Sequence, residues 1–111
     1  MREVKAFIRE ERTVEVVEGL RKAGFRSLTV SPAEGTGKFT GKKAMPSLQF
    51  PVTHSKMTNL QIVCRKEDVE EIVKIIHKHG SRDKQGEGLI YISEVLELYK
   101  VRTGKKSRED I

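Results

Sequence analysis

Apolar and polar residues alternate from Glu3 to Ile8, with Val4, Ala6 and Ile8 on one side and Lys5 and Phe7 on the other. A period of two predicts a strand with one buried face. From Val14 the period changes: Val16, Val17, Leu20 and Ala23 recur at helical spacing, while Glu15, Glu18, Arg21 and Lys22 fill the opposite side. This predicts an amphipathic helix over Val14 to Ala23, with Thr13 as its N-cap and Gly24 just past its end. A second strand follows at about Ser27 to Ala33, and a third at Thr58 to Cys64, where Leu60, Ile62 and Cys64 share a face. Val69, Ile72, Val73, Ile75 and Ile76 then mark a second helix from about Glu67 to His79, closed by Gly80. Its acidic start (Glu67, Asp68, Glu70, Glu71) and basic end (Lys74, Lys78) suit the helix dipole. Leu89 to Ser93 reads as a fourth strand. Glu94 to Val101 is expected to form a short helical turn and a final extended piece, before a charged, frayed tail over 102–111.

The pattern is doubled. Val14 to Gly24 reads VEVVEGLRKAG and Val69 to Gly80 reads VEEIVKIIHKHG; each copy leads to a strand ending in serine, Leu28-Thr29-Val30-Ser31 and Ile90-Tyr91-Ile92-Ser93. One strand–helix–strand unit cannot cover its own strands, but two can share a sheet and lay one helix each on the same face. The expected fold class is α+β, a split β-α-β arrangement with a four-stranded antiparallel sheet. Between the copies, Glu34 to Thr58 holds three glycines, two prolines and no clean period, although Leu48 to Val52 can continue a strand. A structureless stretch longer than about 15 residues inside a compact domain is usually functional or disordered. It is expected to be a long excursion between strands two and three, ordered by a ligand or partner.

Composition narrows the picture. A chain of 111 residues is expected to be a single domain, 1–111, whose modest core a subunit interface can supplement. Charged residues make up 34% and apolar ones 36%, which fits a soluble protein with a charged exterior. No apolar run approaches the roughly 20 residues that span a bilayer, and the charged, strand-like start does not read as a signal peptide. The single Cys64 cannot pair within the chain and reads as a small buried residue. The expected location is the cytoplasm. The net charge of +6 is dispersed over the excursion, the end of the first helix and the tail. With no tryptophan and no helix with an unbroken basic face, neither nucleic-acid nor lipid binding is expected.

Three stretches suit an anion. Gly35-Thr36-Gly37-Lys38 lets backbone approach phosphate oxygens and adds an ammonium, yet it lacks the spacing and the following helix of a P-loop. Gly86-Glu87-Gly88 can converge its amides on an anion. Lys100 with Arg102-Thr103-Gly104 offers an ammonium, a planar fork and a hydroxyl. Each reads equally well alone as a loop entrance, a plain turn or a solvated tail. His77 and His79 point to different sides of their helix and His54 lies in the excursion, so no metal site is expected. No nucleophile–base pairing is evident; the chain reads as a binder and not an enzyme.

Taken in order, the Met-x-x-Val-x-Ala start, Leu28-Thr29-Val30-Ser31, Gly35-x-Gly37, the long loop, Gly86-Glu87-Gly88, Ile90-Tyr91-Ile92-Ser93 and Arg102-Thr103-Gly104 resemble a PII-type nitrogen regulatory signal protein, from Met1 to about Asp110. The resemblance implies ferredoxin-like subunits, a double β-α-β sandwich with two helices on one face, assembled as homotrimers. It implies ATP or ADP (or another adenine nucleotide such as AMP) in clefts between subunits. It also implies a T-loop, here 37–56, that docks on an ammonium transporter or a nitrogen-metabolism enzyme. The site residues carried over are Thr29, Gly35, Gly37, Lys38 and Cys64, with Gly86, Glu87 and Gly88 around phosphates and Lys100 and Arg102 completing the site. The partner-binding loop would present Lys42, Lys43, Met45, Leu48 and Phe50. The chain departs from the family pattern at Phe39, where the family has a glutamine that helps hold Mg-bound 2-oxoglutarate; phenylalanine cannot ligate a metal. Leu89 replaces the usual lysine after the second glycine pair, and the loop lacks the tyrosine that is modified in some members. These departures mark a divergent member with altered nucleotide binding and argue against 2-oxoglutarate. The other reading is a PII-like or CutA-like trimer sensing another small anion or a metal.

Overall fold

A computed structural model describes residues 1–35, 45–46, 53–81 and 88–107. The elements run β1 (Arg2–Arg9), α1 (Thr13–Lys22), β2 (Leu28–Gly35), β3 (Met45–Pro46), β4 (Thr53–Cys64), α2 (Val69–Gly80) and β5 (Gly88–Glu94), with a 3-10 turn before each helix. The sheet order is β2-β4-β1-β5 with every pairing antiparallel, and the two-residue β3 pairs with the start of β4. This is the expected double β-α-β arrangement, a ferredoxin-like fold.

Alternation decides which side is buried. In register, Val4 faces Ile62 and Ala6 faces Leu60 across β1 and β4, so these residues share one face. Val16 and Leu20 of α1 and Ile72 and Ile76 of α2 close over it, making one core with Ile8 and Cys64. The opposite face carries Glu3, Lys5, Phe7, Thr29, Gln61, Val63 and Tyr91 and receives no helix. Phe7 and Tyr91 stack there at 6.3 Å, with the Lys5 ammonium 5.8 Å from the Tyr91 ring.

The ends of the helices refine the sequence reading. Thr13 is not the cap of α1 but its first residue. Its hydroxyl donates to the Glu10 carbonyl at 2.8 Å and meets the Thr58 hydroxyl at 2.7 Å, because a 3-10 turn over Glu10–Arg12 already starts the helical chain. Gly24 does end the helix: at φ 96° it lets Phe25 N–H reach Leu20 O at 2.9 Å and its own N–H reach Arg21 O at 3.0 Å. That pair of bonds is a Schellman motif, with Phe25 folded back against the core. Ala23 lies beyond the last turn and is exposed, so the apolar stripe stops at Leu20.

Two further boundaries move. Strand β4 begins at Thr53, five residues before the expected start, because Ser55 and Lys56 pair with Gly35 and Glu34 of β2. The foot of the excursion is therefore a β-ribbon. The stretch Leu48–Val52 lies outside the described residues. After β5 no helical turn forms. Instead Lys100 N–H bonds Lys105 O at 3.0 Å and Ser107 N–H bonds Leu98 O at 2.9 Å, so the tail folds back as a small hairpin whose turn holds Arg102 and Thr103. Backbone bonding within this hairpin replaces the expected frayed end as far as Ser107.

Candidate functional site

A hollow of about 410 Å³ opens on the helix-free face, lined by Glu3, Ser27, Thr29, Gln61, Val63, Leu98, Tyr99 and Lys100. Three layers of chain build it. Alternation sends Glu3, Thr29, Gln61 and Val63 to this face, and register lines them up, with Thr29 opposite Gln61 and Glu3 opposite Val63. The chain entering β2 adds Ser27, and the hairpin after β5 brings Leu98, Tyr99 and Lys100 over the edge. The size falls in the range of small-molecule sites, and the walls combine apolar and polar groups as such sites do.

The floor is a short polar chain. Gln61 Nε2 donates to Glu3 Oε2 at 3.4 Å and Ser93 Oγ donates to Glu3 Oε1 at 3.5 Å. On the rim, the Tyr99 hydroxyl donates to the Glu97 carboxylate at 2.8 Å. That bond pushes the phenol pKa above its ordinary 10.0, so the rim presents a neutral ring. Glu97 also pairs with Lys106 at 3.3 Å, tying the two arms of the hairpin together.

The residues singled out in the sequence fall at several places. Thr29 and Lys100 meet in the hollow. Arg102 is exposed at the hairpin turn next to it. Cys64 sits on the other face of the sheet, 3% exposed within the core. Burial raises its thiol pKa above the ordinary 9.0, with the Asp68 carboxylate adding to the effect. Gly35 ends β2 opposite Ser55, and Gly88 begins β5 opposite Ile8. Gly88 has φ 107°, and a Cβ there would overlap the Phe7 carbonyl oxygen, so only glycine lets the turn enter the strand. Gly88 also lines a smaller cavity of about 170 Å³ with Ile76, His77 and Ser81. Gly37, Lys38, Gly86 and Glu87 lie outside the described residues, as do Phe39, Lys42, Lys43, Leu48 and Phe50. Met45 is described only by its backbone pairing to His54.

Sequence reasoning missed Glu3, Gln61, Val63, Ser27, Leu98 and Tyr99. The signal for the first three was the polar phase of the alternating strands, but their meeting depends on register between segments about 60 residues apart. Among the described residues, no three His, Cys, Asp or Glu side chains gather as a metal site. Among the same residues, no helix is long and apolar enough to cross a membrane.

Comparison with known proteins agrees with this fold. The nitrogen regulatory protein P-II family matches residues 1–105. Nitrogen regulatory protein P-II 1 of Methanothermobacter thermautotrophicus is 30% identical over 112 aligned positions, covering 100% of this chain and 97% of that protein. A nitrogen fixation nifHD region GlnB-like protein 1 of Methanothermobacter marburgensis is 35% identical, over 93% of this chain and 95% of its own length. The P-II protein of Mesorhizobium japonicum is 26% identical over the full length of both. The chain belongs to the nitrogen regulatory protein P-II family, whose members are regulatory signalling proteins and not enzymes.

Proposed function

We propose that three copies of this chain assemble around their helix-free faces and bind an adenine nucleotide, ATP or ADP, in the clefts between them. Occupancy of the cleft then biases the long loop, 37–56, and through it the docking of a nitrogen-metabolism enzyme or an ammonium transporter in the cytoplasm. One observation carries this reading. The anion-friendly residues stand at separate corners of the sheet. Thr29 and Gly35 are six residues apart on β2, about 20 Å at the rise of a strand. Gly88 lies on the opposite edge strand, in the row of Ile8, Thr58 and Pro32 that crosses β2 midway between them, while Lys100 and Arg102 lie at the Thr29 end. A single chain cannot gather them around one triphosphate; a neighbouring copy can bring its own Gly86-Glu87-Gly88 turn to the hollow.

The helix-free face supports assembly. Leu89 and Tyr91 are 38% and 43% exposed on it. In the proposed site Thr29, Gly35, Gly37 and Lys38 line one wall. Gly86, Glu87, Gly88, Lys100 and Arg102 surround the phosphates, and Cys64 backs the sheet from the core side. Loop bias follows from differential binding: the nucleotide shifts the loop only as far as it prefers one loop state.

Phe39 favours a narrower effector set. It offers no atom to a Mg-bound 2-oxoglutarate, so a nucleotide or another small anion acts without that co-ligand. Calorimetric titration with ATP, ADP and AMP, with and without Mg and 2-oxoglutarate, tests the reading beside light scattering. The expected result is a three-copy mass, heat with at least one adenine nucleotide, and no added heat from 2-oxoglutarate. A single-copy mass, or silence with every nucleotide, removes the proposal.

A further inference from the structure

We infer that Glu3 is a positioning residue for base selection: its carboxylate holds the Gln61 amide so that the hollow takes a 6-amino purine and discriminates against a 6-oxo purine. The inference rests on the nucleotide reading above and deepens it. A carboxylate accepts hydrogen bonds and cannot donate one, whereas an amide presents an acceptor at one corner and donors at the other. With Nε2 donating to Glu3 Oε2 at 3.4 Å, Oε1 is the amide atom of Gln61 left to meet a ligand in the hollow that the residue lines. Ser93 Oγ, bound to the other carboxylate oxygen at 3.5 Å, holds Glu3 from the next strand. Rotating the amide by half a turn would set Oε1 against the carboxylate, oxygen against oxygen.

The other polar side chains at the base end do not choose. The hydroxyls of Ser27 and Thr29 donate or accept as the ligand requires, and the nucleotide reading assigns Lys100 to phosphate. Val63, Leu98 and Tyr99 supply apolar walls against which a purine ring of either kind packs equally. Discrimination therefore falls to one acceptor corner, Gln61 Oε1 beside the Glu3 carboxylate that also lines the hollow. It accepts from an exocyclic amine and repels a carbonyl oxygen at the same ring position, leaving two acceptors facing each other.

The test compares ATP with inosine triphosphate by calorimetry on the full chain. The wild type is expected to favour ATP by about tenfold, the size of one good hydrogen bond gained against one refused. Glu3→Gln lets both amides reorient together, and the ratio falls towards one. Glu3→Lys donates to Gln61 Oε1, turns Nε2 to the hollow, and brings the ratio below one. Adding Gln61→Glu to Glu3→Lys restores an acceptor that needs no orienting partner, and the preference for ATP returns. A role for Glu3 in stability alone would lower both affinities together and would not be rescued in this way. Equal wild-type affinities, or a ratio that Glu3→Gln and Glu3→Lys leave unchanged while ATP still binds, overturn the inference and spare the nucleotide reading. Where ATP is silent, ADP against inosine diphosphate gives the same ratio, and silence of every adenine nucleotide with the wild type overturns both readings. If Glu3→Lys does not fold, Glu3→Gln decides by the same ratio.

Discussion

Gly19 lies where the two helices touch. A Cβ at this position would stand 2.6 Å from His79 Cδ2, 2.8 Å from His79 Nε2 and 3.1 Å from Ile75 Cγ2. The half-buried His79 ring lies against the α1 backbone, and its carbonyl accepts from Arg12 Nε at 2.9 Å, fixing the end of α2 to the start of α1. Gly19→Ala sets two effects against each other. Alanine gains about 1 kcal/mol of helix propensity, while overpacking at a close contact costs about 1–3 kcal/mol. With His79 held by its neighbours, the clash should win and the variant should melt lower. In a His79→Ala background the same substitution should instead stabilise, by about 1 kcal/mol. A double-mutant cycle from urea midpoints checks the sign change; stabilisation in both backgrounds would show that the ring moves aside freely. None of this was legible in the sequence, where nothing sets Gly19 apart and His79 is read only as pointing to a different side of its helix from His77.

Elements behave differently from residues, because period is a property of sequence. The alternation of β1, the stripe of α2 and the doubling of strand, helix and strand were all visible before any contact was known. Long periodic segments average out single exceptions. What failed were joints. Thr13 reads as a cap, yet its hydroxyl bridges the Glu10 carbonyl and Thr58 of β4, buried at 6% exposure. This bridge joins α1 to a strand 45 residues away, a partner no local rule could supply. Thr58→Val keeps shape and β-propensity but leaves the Thr13 hydroxyl facing a methyl group. The expected cost is about 1–2 kcal/mol, read as a lower urea midpoint at unchanged slope. The hairpin over residues 98–107 was missed for a related reason: its strands are short, polar and paired mainly through backbone, so neither period nor hydrophobicity announces them.

At the scale of the molecule, the two faces of the sheet divide the work. One is sealed by α1 and α2, and the other keeps Phe7, Leu89 and Tyr91 partly open beside a polar hollow. If copies meet on that face, a charge at its centre should separate them. Tyr91→Lys removes the ring stacked on Phe7 and sets a second ammonium beside that of Lys5, an uncompensated charge on the contact face. Because Tyr91 points away from the helix core, far-UV circular dichroism should stay unchanged. The mass by light scattering should fall to one copy, and nucleotide binding should fall at least tenfold with it. Retained assembly with full binding would place the contact elsewhere.

The sequence alone determined the element order, the doubled architecture, the face of each helix that enters the core and the family resemblance, since all four are written in local period or in ordered short motifs. Tertiary structure decided how Glu3, Thr29, Gln61 and the hairpin residues come to share one hollow, and why Thr29, Gly35 and Gly88 stand at separate corners. Those relations come from strand register and sheet order. Both are fixed by which apolar faces can be buried together, and the individual residues do not declare that in advance.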